Sequence, residues 1–213
     1  MGKCMLALLL ALPIPAVAQS SASLSSVPAA VEKRYNRLRS LQAEFVESVS
    51  YQGRNRRREA GAVYLLRPGK MRWEYTQPAG KLFVSDGKLF YLYSPNSNQV
   101  QTIKLKETGD LRAPLAFLLG QLDFRKEFGK LRLQETAEGI RLIAEARARQ
   151  DAFHEVEFTI AAGTFEIRRI VIKGQDGLHT EFEFSGEILN PKVAAGLFLF
   201  QAPAGAEVLE AAR

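Results

Sequence analysis

A mainly β fold with some α is predicted: one large curved antiparallel sheet of about eleven strands, an unclosed barrel, with helices forming a lid over an apolar cavity. Three observations predict it. Apolar and polar residues alternate with a period of two through most of residues 45–104 and 130–185. Short turn signals separate the runs, among them Arg67-Pro68-Gly69, Gln77-Pro78-Ala79-Gly80 and Ser85-Asp86-Gly87. No regular strand–helix–strand order intervenes, so the short connections force antiparallel neighbours. A sheet that long tends to curl, and helices over the mouth of the resulting half-barrel would cover its apolar face.

The first eighteen residues stand apart. Lys3 supplies a basic start, Cys4 to Leu12 an apolar core, and Ala16-Val17-Ala18 an A-x-A cleavage site, the pattern of a secretory signal peptide. Cleavage near Ala18 is expected to leave a soluble protein beyond the inner membrane. Cys4 is the single cysteine, so a mature chain without it has no disulfide and no thiolate metal site. Cys4 also precedes the apolar core, which is the wrong place for a lipid-modified cysteine. Residues 19–27 are Ser- and Ala-rich and read as disordered, and 28–213 read as one domain, a length sufficient for a sizeable core.

Pro28 opens a helix expected to run to about Ala43. Val31, Tyr35, Leu38 and Leu41 form a stripe among Glu32, Lys33, Arg34, Arg37 and Arg39, and the strands that follow are its only partner. Phe45–Tyr51 begins those strands. Gln52-Gly53 with Arg54, Arg56, Arg57 and Arg58 is expected as a hairpin loop, after which Gly61–Arg67 pairs back. The arginine cluster reads either as a solvated loop or as a contact to anionic lipid or an acidic partner. Nucleic acid is not expected as a partner of an exported chain.

Met71–Thr76, Lys81–Ser85, Leu89–Tyr93 and Gln99–Lys104 continue the meander. Met71, Trp73 and Tyr75 fall on one side, with Arg72 and Glu74 on the other. Residues 111–122, LRAPLAFLLGQL, then change the period and read as a short helix with a broad apolar surface, weakened by Gly120. It is either a core helix or a lid that covers the sheet yet can leave it. Strands resume at Lys130–Thr136, Gly139–Ala146, Phe153–Ile160, Phe165–Lys173 and Leu178–Ser185, with His154, Val156, Phe158 and Ile160 expected on one face. Pro191–Gln201 reads as a turn followed by an apolar closing strand or latch, Leu197–Phe200.

A curled sheet of this kind encloses an apolar concavity. Its expected lining is Met71, Trp73, Tyr75, Phe83, Phe90, Leu92, Phe158, Phe182 and Phe184, with Leu115, Leu118 and Leu119 from the lid. Catalytic chemistry is poorly supported. His154 and His179 are the two histidines, each on a predicted strand without an evident serine–carboxylate partner. There is no G-x-S-x-G elbow, and His154-Glu155 lacks the second His of a zinc helix. Neither a catalytic centre, a metal nor a cofactor is expected. Arg67, beside a proline at the edge of large apolar residues, marks either a solvated strand end or a guanidinium that reaches across the sheet to a second element.

The run Arg67-Pro68, Met71, Trp73, Tyr75, Pro78, then Val84-Ser85-Asp86-Gly87-Lys88, resembles the periplasmic outer-membrane lipoprotein carrier proteins of the LolA type. Pro114-Leu115-Ala116-Phe117-Leu118-Leu119-Gly120 resembles a form common in that family. Met71 stands where the family often has Phe. The resemblance implies a carrier for the acyl chains of triacylated lipoproteins, taken from an inner-membrane ABC transporter and given to an outer-membrane acceptor, acting as a monomer. It also implies that Arg67 is the lid latch. The physics fits such a role. At roughly 0.8 kcal/mol per buried CH₂, three acyl chains are held in a bilayer by on the order of 30 kcal/mol and do not cross water unaided. A lipid- or lipoprotein-sensing regulatory module, or a general lipid or glycolipid carrier, on the same half-barrel are the alternatives.

Overall fold

The computed structural model describes residues 24–104, 122–148 and 153–210. Its elements are α1 (Val27–Asn36), β1 (Ser40–Tyr51), β2 (Arg54–Leu66), β3 (Lys70–Gln77), β4 (Ala79–Asp86), β5 (Leu89–Ser94), β6 (Gln99–Lys104), α2 (Phe124–Glu127), β7 (Leu131–Thr136), β8 (Gly139–Glu145), β9 (Phe153–Ile160), β10 (Ile167–Gly174), β11 (Leu178–Leu189), a 3₁₀ turn (Ala195–Phe198) and β12 (Glu207–Glu210). The strands form one twelve-stranded sheet in the order β12-β6-β5-β4-β3-β2-β1-β11-β10-β9-β8-β7. The expected single, unclosed sheet is therefore present, and among the described residues every pairing in it is antiparallel save one. β12 runs parallel to β6.

The alternation puts one face of every central strand inward. Phe45, Val63, Leu65, Met71, Trp73, Phe83, Phe90, Leu142, Phe158, Ile170 and Phe182 belong to one continuous buried cluster that joins the two halves of the sheet. Val31 and Tyr35 of α1 and Phe124 and Phe128 around α2 complete it. α1 thus buries its stripe on the sheet, as its spacing requires.

The structure departs from the expected boundaries at several points, each with a local cause. α1 ends at Asn36 and not near Ala43, because Leu41, Ala43 and Phe45 are buried on alternate positions of β1 and Ser40 already pairs with Leu66. The arginine cluster is strand, not loop. Gln52 and Gly53 close the hairpin alone, with φ of 49° and 75°, and such two-residue turns with both φ positive match the twist of the flanking strands. Arg57 and Arg58 accordingly pair with Val49 and Ser48. β10 begins at Ile167 because Phe165 adopts φ 58° and its N–H closes a turn on the Ala161 carbonyl. On β9 the register slips beside Gly174, so Phe153 is buried and His154 is exposed.

The C-terminal segment is a turn and an outer cover instead of a closing strand at Leu197–Phe200. Arg72 donates to the Leu197 carbonyl at 3.2 Å, and Phe200 stacks on Tyr91 with centroids 4.8 Å apart. Both partners point away from the main core, on the opposite face of β3 and β5. Phe198 is fully buried there, and the chain then reaches the edge of β6 as β12.

Candidate ligand cavity

β3 and β4 set the wall of an apolar hollow on the inner face of the sheet. Met71 and Trp73 alternate inward along β3, Phe83 projects from β4 opposite Trp73, and Phe182 comes from β11. With Tyr75, Leu92, Tyr93 and Ser94 they enclose a cavity of about 340 Å³. Aromatic edges fix the wall. Phe45 meets Trp73 and Tyr75 edge-on at 4.6 and 5.0 Å, Trp73 meets Phe182 at 5.3 Å, and Phe83 stacks on Phe90 at 5.0 Å. Such contacts add roughly 0.5–1.5 kcal/mol each beyond area burial and hold the rings in place.

Of the residues expected at the lining, Met71, Trp73, Tyr75, Phe83, Leu92 and Phe182 stand together here. Phe90 lies behind Phe83. Phe184 is 6.0 Å from Trp73 and borders a smaller hollow with Tyr35, Leu41, Ala43, Val63, Leu65, Ile167, Ile170 and Glu187. Phe158 sits in the other half of the sheet, edge-on to Phe124 at 5.3 Å and Phe128 at 5.9 Å. Leu115, Leu118 and Leu119 lie outside the described residues.

One end of the cavity is polar, which the sequence reading missed. Glu47 on β1 and Glu59 on β2 are direct partners across the ladder, and both are buried, at 6% and 5% exposure. Two facing carboxylates repel, and burial sharpens the repulsion. Arg57 answers both, with Nη2 3.0 Å from Glu47 and Nε 3.3 Å from Glu59. Lys81 pairs with Glu59. The Tyr75 hydroxyl donates to Glu47 at 2.7 Å, and Lys81 Nζ lies 4.0 Å from the centre of the Tyr75 ring. Burial, and then the Glu47 charge, push Tyr75 ionisation far up, so its proton stays on. The signal was available in the sequence: Glu47 shares its strand parity with Phe45, and Glu59 with Val63 and Leu65.

Arg67 lies at the other end of β2. Its backbone N–H donates to the Arg39 carbonyl at 2.9 Å. Its side chain is half-buried against Tyr35, Leu38, Leu41 and Leu65. Among the described residues its guanidinium makes no hydrogen bond or ion pair, and burial lowers its pKa. Close by, Asn36 clamps the backbone of Leu122: the side-chain amide donates to the Leu122 carbonyl at 2.8 Å and accepts from its N–H at 2.7 Å.

No helix among the described residues is long and apolar enough to cross a membrane. Residues 36–201 match the family model described as outer membrane lipoprotein carrier protein LolA. An outer-membrane lipoprotein carrier protein of Dechloromonas aromatica is 33% identical over 173 residues, 80% of this chain and 81% of that one. One from Bordetella avium is 32% identical over 198 residues, 92% of this chain and 91% of that one. The solved structure of an uncharacterized conserved protein from Thermus thermophilus shares the fold, with TM-score 0.53 at 19% identity over 88% of this chain and 99% of the other.

Proposed function

The chain belongs to the LolA family of outer membrane lipoprotein carrier proteins, and on that premise we propose that it carries acylated lipoproteins through the periplasm, holding their acyl chains against Met71, Trp73, Phe83, Leu92 and Phe182. The observation that carries this reading is the apolar cavity itself, walled by locked aromatic rings on the inner face of the sheet. No bond need be made or broken in this work. The cavity offers the acyl chains an alternative to the bilayer, and affinity scales with the apolar area removed from water.

At about 340 Å³, and with roughly 30 Å³ for a water-sized group, the cavity takes on the order of ten methylenes. That suits part of a single acyl chain. Loading a triacylated lipoprotein therefore requires the wall to part. The segment 111–122, of which only Leu122 is among the described residues, is the cover in this reading, with Leu115, Leu118 and Leu119 toward the acyl chains and Arg67 as its latch. Two features support it: the Asn36 clamp fixes Leu122 beside α1, and among the described residues the Arg67 guanidinium has no hydrogen-bond partner. An Arg fork can serve several carbonyls at once. The cargo comes from an inner-membrane ABC transporter and goes to an outer-membrane acceptor, the carrier travelling as a monomer after cleavage near Ala18.

The test is mass spectrometry of the protein purified from the periplasm of cells making a tagged lipoprotein. A one-to-one complex with the triacylated form, abolished when the acylated cysteine of the cargo is replaced, is the expected result. Recovery with free phospholipid alone would move the function to general lipid transport.

A further inference from the structure

We propose that the polar end of the cavity is a head-reading site, which accepts the ester or amide carbonyls of an uncharged acyl ligand and rejects an anionic phospholipid head. The proposal rests on the carrier reading and adds a selectivity to it.

Glu47 and Glu59 contribute two negative charges, Arg57 and Lys81 two positive ones. The carboxylates are spoken for: Glu47 accepts from Arg57 and Tyr75, and Glu59 accepts from Lys81 and forms an ion pair with Arg57. Donors remain. Lys81 has three N–H groups and Arg57 five, of which the network uses a minority, and both side chains line the cavity. The Ser94 hydroxyl at the same end makes no hydrogen bond among the described residues. The free capacity is thus for an acceptor, and the four charges described there sum to zero, leaving no net charge among them to attract an anion.

A carbonyl oxygen fits that demand without disturbing the pairs. A phosphate does not. To bind well it must take Lys81 or Arg57 from the carboxylates, and a buried carboxylate stripped of its partner is strongly unfavourable. An anionic head is therefore disfavoured by Glu47, which lines the cavity beside Arg57 and Lys81, and by Glu59, which holds both bases from outside the lining.

Trp73 makes this measurable, because it is the single tryptophan of the chain and stands in the cavity wall. Two probes are used, dioctanoylglycerol and dioctanoyl phosphatidylglycerol, each brominated on its acyl chains, so that they differ only in the head and binding quenches Trp73. The wild-type protein should bind the neutral probe at least roughly tenfold more tightly. Glu59→Gln keeps the side-chain shape and one acceptor oxygen, gives up the other acceptor, and leaves the network with one excess positive charge. In that variant the anionic probe should gain roughly tenfold while the neutral one moves by less than about twofold. Equal affinities in the wild type, or equal shifts of both probes in the variant, would overturn head reading and leave the carrier reading standing. Absence of quenching by either probe would overturn both.

Discussion

The Tyr35 hydroxyl accepts the backbone N–H of Ile167 at 2.9 Å, joining α1 to the start of β10 across the mouth of the sheet. The same hydroxyl donates to Glu187 at 2.8 Å, and Arg34 holds that carboxylate from the next position of the helix. Burial and the Glu187 charge push Tyr35 ionisation up, so the donor persists at any ordinary pH. The stripe that packs α1 on the core thus carries a polar tie at its centre.

Tyr35→Phe should therefore cost about 1–3 kcal/mol, because it keeps the ring and strands a buried N–H and one side of a buried carboxylate. Urea denaturation should show a lower midpoint with an unchanged slope. A midpoint equal to that of the wild type would mean that water replaces the hydroxyl at both partners.

Gly61→Ala should be more damaging than its exposure suggests. A Cβ at Gly61 would lie 2.1 Å from the Glu74 carbonyl oxygen, at the point where the β2–β3 register slips between Ala60 and Gly61. Neither strand can withdraw without breaking the ladder that carries Trp73 and Tyr75. A loss of at least about 2 kcal/mol is expected by the same urea measurement.

Much of this molecule was legible because the cavity wall obeys the simplest rule of strands. Met71, Trp73 and Tyr75 lie two apart and share a face in sequence and structure alike. The polar end was missed although the rule holds there too, because acids are read as the wetted face whatever their parity, and Glu47 and Glu59 share the parity of Phe45 and Val63. Glu47 and Glu59 take inner positions, and Lys81, which pairs with Glu59, comes from a different hairpin. The arginine cluster misled for a related reason: charge density suggests a loop, whereas a two-residue turn had already closed the hairpin. β12 left no signal, since its four residues are all exposed and only the backbone of β6 selects them.

The acid limb of stability should owe part of its depth to Glu155. Desolvation pushes its carboxyl up, but the hydrogen bond from Lys173 at 2.7 Å, with the Lys173 and Arg132 charges, outweighs that and holds it below its usual value of 4.5. A carboxylate whose pKa is lowered by folding stabilises the native state above its unfolded pKa, and that contribution disappears as pH falls through the folded value. Glu155→Gln should then cost up to about 1 kcal/mol at neutral pH, given partial solvent screening. The difference from wild type should shrink to nothing once the pH drops well below 4.5. Denaturation curves at neutral pH and in acid would decide it, and a difference that persists in acid would assign the effect to packing.

Arg67→Leu separates a latch from a structural arginine. The guanidinium is desolvated among Tyr35, Leu38, Leu41 and Leu65, and among the described residues nothing accepts its hydrogen bonds. A leucine there is at least as well solvated by its neighbours, so the melting temperature should stay within about 2 °C of wild type. The loss should appear in cycling. If the latch is worth about 1.4 kcal/mol, its removal changes the ratio of closed to open protein roughly tenfold. Lipoprotein delivered from carrier to acceptor vesicles, followed over time, should fall accordingly, while the variant remains folded and monomeric. A variant that melts many degrees lower would make Arg67 a structural residue and leave the cover without a latch.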